Sequence, residues 1–232
     1  MKVFVGVVVL AVVAAIAIPN LMGPKVNWND TAALATLRNL ASVQRDFQAK
    51  AIIDIDGDGV GEYGTLGEMT GSGGVRRDAA ARERGAKLSP PLLSPALAGV
   101  GSEGIAIKSS YCIRILLPAP GMVPTRERSP DEPFHAPVDV EGTEQRWCAY
   151  AWPSKEWGEH KGSSRLFHFR VFFVTETGDV WQTMNQDKRY VGSSGGPAWD
   201  AAMPASGTGW APANPKVDEY RGRDGNVWKR TN

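Results

Sequence analysis

Residues 3–18, VFVGVVVLAVVAAIAI, carry no charge and no polar side chain. A stretch this apolar must leave water, and that demand limits every arrangement open to the rest of the chain. As a helix it would span roughly 24 Å, short of the ~30 Å hydrocarbon core of a bilayer. Extending it through Leu21 and Met22 adds length, although Asn20 interrupts. Three readings compete. Lys2, the apolar run and Ala15-Ile16-Ala17 fit a cleaved secretory signal. The same residues fit a simple membrane anchor. They also fit a filament-core helix that the membrane holds before assembly.

A second helical signal follows at once. NDTAALATLRNLASVQRDFQAKAII opens with the capping candidates Asn29 and Asp30. Leu34, Leu37, Leu40, Ala41, Phe47 and Ala51 then recur at three- and four-residue steps, which predicts an amphipathic helix over 28–53. Pro19 and the Gly23-Pro24 pair weaken the connection between the two helical stretches.

These residues carry a resemblance. VVVLAVVAAIAIPNLM, and AAIAIPN above all, resembles the N-terminal helix of type IV pilins and type II secretion pseudopilins. TAALATLRNLASVQRDFQA resembles the helical segment that continues it, and RVFFVTETGDVWQT is like a late hairpin of their heads. The resemblance implies an α+β fold: a long N-terminal helix, apolar then amphipathic, packed on an antiparallel sheet head. It implies an assembly helix including Val3, Phe4, Val8, Leu10, Ala14, Ile18 and Pro19. Its partners would be copies of the chain or related pilin-like subunits. The chain would sit in the bacterial inner membrane before assembly and then in a periplasmic or cell-surface filament. The family has a glutamate near the start of this helix, and aligning Pro19 with the family's proline places Lys2 in that slot. A lysine there would repel the neighbouring subunit's amino terminus; the expectation is a start placed late, with a leader upstream, and the alternatives are a different mode of assembly or none.

The segment 54–69 is acidic and rich in glycine. Asp54, Asp56 and Asp58 alternate and Gly59 follows, matching the first half of an EF-hand-type loop. In that geometry Val60 offers its carbonyl and Glu62 takes the ninth position. The closing position falls on Thr65, and Glu68 comes three residues later. The functional reading is a structural Ca2+ site made by Asp54, Asp56, Asp58, Val60 and Glu62. The alternative is a solvated acidic turn whose aspartates meet Arg76 and Arg77.

The organisation expected is an apolar segment 1–27 and a head 28–232. The head comprises the helix, the acidic loop 54–69, a connector 70–104 and a sheet region 105–232. Within the connector, RRDAAARERGAK suggests two or three turns of surface helix. Residues 105–117, 145–152, 166–174 and 179–184 read as strands, and Asp224-Gly225 as a hairpin turn. Three to five antiparallel strands are expected. Cys112 and Cys148 lie in consecutive strand-like runs, consistent with one disulfide in an oxidising compartment or with two buried thiols. Eight tryptophans offer either stacking platforms or core anchors.

A net charge of +1 and the lack of basic runs argue against nucleic acid. No G-x-S-x-G elbow occurs, and His135, His160 and His168 lack zinc-site spacing, so an enzyme is not expected. The function expected is a structural subunit of a pilus-like or pseudopilus filament. The alternative is an exported or anchored monomeric tryptophan-rich binding module.

Overall fold

Strand β4, Tyr111–Ala119, is buried along nearly its whole length, and β6, Cys148–Pro153, is buried at every residue. Strands that hide both faces need a layer on each side. The computed structural model describes residues 28–121, 123–155, 170–185, 189–207, 209–210 and 216–231, and it shows both layers.

The eight strands of the main sheet are antiparallel throughout. Their order is β3 (Ile105–Lys108), β4, β6, β7 (Arg170–Thr175), β8 (Val180–Met184), β10 (Val227–Arg230), β9 (Glu219–Arg221), with β5 (Val123–Thr125) paired to the far end of β4. Alternation along each strand divides the side chains between two cores. Tyr111, Ile113, Ile115 and Leu117 of β4, with Ala149, Ala151, Phe172 and Val174, share one core with Leu37, Leu40 and Phe47 of helix α1, residues 28–49. Cys112, Leu116, Tyr150, Trp152, Phe173, Trp181 and Trp228 face the other way, under Tyr190, Ala202, Met203 and Trp210. Tyr150 ties that cover down: its hydroxyl donates to the Trp199 carbonyl and accepts from the Ala202 N–H.

The first described turn of α1 is fastened to the sheet. The Tyr111 hydroxyl donates to Asp30 Oδ1 at 2.5 Å, and Arg170 lies 3.9 Å from the other carboxylate oxygen. Ahead of this point Trp28 is 76% exposed. No helix among the described residues is long and apolar enough to cross a membrane. Val3, Phe4, Val8, Leu10, Ala14, Ile18 and Pro19 lie outside the described residues.

The architecture corrects the α+β expectation of a long helix packed on a small sheet. The dominant element is the eight-stranded antiparallel sheet, the long helix is described over 28–49, and the other helices among the described residues are single short pieces. The helix stops short of residue 53 because Ala51 turns left-handed, with φ 43°. Ile53, which looked like a helical continuation, is instead buried in the core beyond the turn.

Strand boundaries shift too. Residues 105–117 are not one strand but the β3–β4 hairpin, turned at Ser109-Ser110 with φ 50° and 64°. Both central residues are left-handed, as the tightest hairpins require, but serine does not advertise that turn. RRDAAARERGAK is not helical. It makes parts of the two-stranded sheet of β1 (Gly74–Arg76) and β2 (Arg84–Lys87), with Asp78 accepting from the Ala80 and Glu83 N–H groups between them. Burial of Val75 and Ala81 against the main core overrides the local helical propensity.

Candidate metal centre

Beyond Ala51 the chain leaves α1 and enters the acidic loop. Asp54 accepts from the Gly57 N–H at 2.8 Å through one oxygen and from the Gly59 N–H at 3.2 Å through the other. The Val60 N–H donates to Asp58 at 2.7 Å. These local bonds compete with helix formation and hold a tight loop. Gly57 and Gly59, with φ +77° and +89°, allow the reversals that a side chain would resist. The result brings carboxylate oxygens of Asp54, Asp56 and Asp58 within 4.8 Å of one another, all three residues exposed. Val60 is also exposed.

Two further carboxylates are near enough to feel the charge of this loop, though neither joins the 4.8 Å group. Glu62 is fully buried; its Oε1 accepts from the Ile55 N–H at 3.0 Å, so the group is docked on the backbone between Asp54 and Asp56. Its Oε2 is buried with no hydrogen-bond partner in the protein. Glu144, on α3 (Val140–Gln145), is 7% exposed and its Oε1 likewise has no partner. Burial raises the Glu62 carboxyl above its usual range, and the Asp54 charge adds to this, while the Ile55 N–H and Arg76 act in the opposite direction. Burial and the charges of Asp58, Glu141, Asp56 and Glu62 push the Glu144 carboxyl up to about 7. Glu144 could not be found from spacing, because the fold brings it in from far along the chain.

The packing that brings it there is specific. A β-carbon on Gly61 would lie 2.2 Å from the Gln48 carbonyl oxygen, so the chain passes directly against the end of α1. Gln44 brackets Gly64 with two bonds, its amide donating to the carbonyl at 2.8 Å and accepting from the N–H at 2.9 Å. The Gln48 amide donates to the Glu144 carbonyl, and the Tyr63 N–H donates to the Thr143 carbonyl at 2.9 Å. The segment 61–64 is therefore stitched between α1 and α3.

Thr65, at the closing position of an EF-hand-type loop, and Glu68 beyond it have other partners. Thr65 is the N-cap of α2 (Leu66–Met69), and Glu68 completes its capping box. Glu68 also accepts from Arg76 at 2.7 Å, with both side chains fully buried. The Arg76 guanidinium further donates to the Tyr63 carbonyl at 2.8 Å.

The two cysteines are free, which corrects the expected disulfide. They are on neighbouring strands of the same buried face, but in the β4–β6 register Cys112 pairs with Trp152 and Cys148 with Leu116. Four residues of extended strand, roughly 13 Å, separate their levels, well beyond the 4.4–6.8 Å between Cα atoms that a disulfide spans. Adjacent strands were legible from the sequence; their register was not. Trp147, Trp152, Trp181 and Trp228 are fully buried, as core anchors are.

Away from the acidic loop, a cleft of about 570 Å³ is lined by Glu103, Arg114, Arg126 and the turn around Ser193. Its cations have partners: Arg126 pairs with Glu103 at 2.6 Å, and Arg114 donates to the Pro197 carbonyl and stacks on Trp152.

No protein-family model, curated protein or solved structure matches the chain.

Proposed function

We propose that the chain is a structural subunit of a type IV pilus-like or pseudopilus filament, assembled through its apolar N-terminal segment. One observation carries the reading: the sequence joins the uncharged run 3–18 closely to a helix that is pinned to a sheet domain. The Asp30–Tyr111 bond and the shared core of α1 and the sheet make the described part a firm body whose entry lies beside exposed Trp28. Such a body can be carried on an apolar stem without the stem's contacts disturbing its core.

The partners are copies of this chain or related pilin-like subunits, with the bacterial inner membrane holding the stem before assembly. The filament is then periplasmic or on the cell surface. In the membrane the association of stems rests on close packing rather than on transfer from water. Burial of the tryptophans in the sheet core supports this structural role over a stacking module, since those rings offer no free face.

The test is N-terminal sequencing of the native protein combined with negative-stain imaging of sheared surface and periplasmic material. Filaments whose subunits retain residues 3–18, and which disappear in Val8→Arg, are expected. A monomeric mature protein beginning near Ile18 would refute the reading.

A further inference from the structure

We propose that the cleft between β4, β5 and the turn 192–199 binds a small hydroxylated carboxylic acid of the sugar-acid type, its carboxylate held by Arg114 and Arg126. The cleft measures about 570 Å³, and its walls include Glu103, Arg114, Arg126, Ser193, Ser194 and Trp199. That volume falls within the roughly 300–1,000 Å³ of small-molecule sites. The partners of the two arginines use only part of what they offer, since each guanidinium carries several N–H donors. Arg114 donates to the Pro197 carbonyl at 2.7 Å, and Arg126 donates to Glu103 at 2.6 Å. The Nε of each is buried with no partner in the protein. Both groups have thus been drawn out of water without full compensation. Burial, followed by the charge of Arg126, lowers the pKa of Arg114, so the two cations act on each other. Glu103 is the one carboxylate among the described lining residues, and it leaves the walls with one net positive charge.

The wall opposite the arginines is fixed in advance. The Trp152 indole N–H donates to the Gly192 carbonyl at 2.7 Å, Arg114 holds the Pro197 carbonyl, and the Tyr150 hydroxyl donates to the Trp199 carbonyl at 2.9 Å. A β-carbon on Gly196 would lie 2.6 Å from the Trp152 ring, so the turn rests directly against that ring. The Arg114 guanidinium lies over the same ring, 5.2 Å from a ring centre. Groups held this way need little ordering when a ligand arrives. Between the pinned carbonyls, Ser193 and Ser194 are exposed and have no hydrogen-bond partner among the described residues. Their hydroxyls suit the hydroxyl groups of a ligand, and half-buried Trp199 supplies an apolar wall. The planar fork of arginine matches a carboxylate. A single net positive charge matches a carboxylate monoanion better than a phosphate dianion. The cleft lies in the folded head and is independent of the filament reading.

The test uses the full chain in detergent, titrated in a calorimeter with D-glucuronate, D-glucose or D-glucose 6-phosphate, which share one sugar skeleton. Glucuronate is expected to bind, with glucose weaker by about tenfold or more and glucose 6-phosphate also weaker than glucuronate. Arg126→Gln should weaken glucuronate binding by about tenfold. Glu103→Gln removes the competing negative charge and should tighten it by about threefold, a gain that a loss of packing does not produce. Should Arg126→Gln not fold, Arg126→Lys, which keeps the charge and loses the planar fork, is expected to weaken binding in the same direction. Absence of heat with glucuronate at millimolar concentration, or equal binding of glucose, would overturn the site. Tighter binding of glucose 6-phosphate would overturn the choice of a carboxylate. Unchanged affinity in the Arg126 variant, or no gain in Glu103→Gln, would overturn the assignment to these side chains.

Discussion

Replacing Arg76 with methionine should be among the most damaging single changes to this fold. The Arg76 and Glu68 side chains are both fully buried, 2.7 Å apart. Glu68 also accepts from the Arg76 N–H at 3.1 Å and from the Thr65 N–H at 2.9 Å, so its carboxylate organises the start of α2 and the entry to β1 together. A second buried carboxylate, Glu127, sits on the N–H groups of Leu66 and Gly67. Arg76 is thus the cation that compensates Glu68 in a region already holding another acid. At ~4 Å and an effective dielectric of about 20, one such pair contributes about 4 kcal/mol. Removing one partner of a buried pair costs about 3–5 kcal/mol, since the remaining charge is stranded. For a chain of this size that corresponds to a fall in Tm of roughly 6–20 °C. The assay is a double-mutant cycle in urea at pH 7.5 with Arg76→Met, Glu68→Gln and the pair. Glu68→Gln keeps an amide oxygen for the Thr65 N–H, so the double variant should recover at least about 2 kcal/mol relative to additivity. An Arg76→Met chain within about 1 kcal/mol of the parent, or a strictly additive cycle, would refute the argument.

Glu127 predicts a pH dependence. Burial, followed by the charge of Glu68, raises its carboxyl to about 7, against a reference value of 4.5. The native state therefore holds this proton more tightly than the unfolded chain. Its contribution is fully present below about pH 4.5 and is lost as pH rises through about 7. The loss is of the order of 3 kcal/mol, and urea titrations across that range should show it flattened in Glu127→Gln. Gly61→Ala would place a methyl 2.2 Å from the Gln48 carbonyl oxygen and 2.7 Å from the Ala51 Cα, both backbone atoms. A loss of about 3 kcal/mol is expected in thermal or urea unfolding, with the acidic loop released from α1. Burial raises the Cys112 thiol to about 11 and the Cys148 thiol well above its usual value. Both should resist a thiol reagent in the native protein and react fully in denaturant without reductant; a bonded pair would leave no thiol to react.

Local order was legible wherever one periodicity decided it. The three- and four-residue spacing named Leu37, Leu40, Ala41 and Phe47 on the buried face of α1, because a helix repeats every 3.6 residues whatever it packs against; it missed buried Ala33, and Leu34 is only half-buried. The β7–β8 hairpin was legible from two apolar runs around Gly178, whose φ of +80° suits glycine. The alternation Asp54, Asp56, Asp58 already implied carboxylates gathered on one loop. What the sequence could not decide was anything set by a partner distant in the chain. β4 and β6 are apolar on both faces, so their composition says that two layers exist but not which segments supply them. Register places Cys112 opposite Trp152, not opposite Cys148, and no local pattern encodes it. Glu144 reaches the acidic loop only because Gln48 and Tyr63 hold α3 beside the end of α1. Periodicity tells a side chain which way to face; only the closing of long loops over a common core tells it what it will meet.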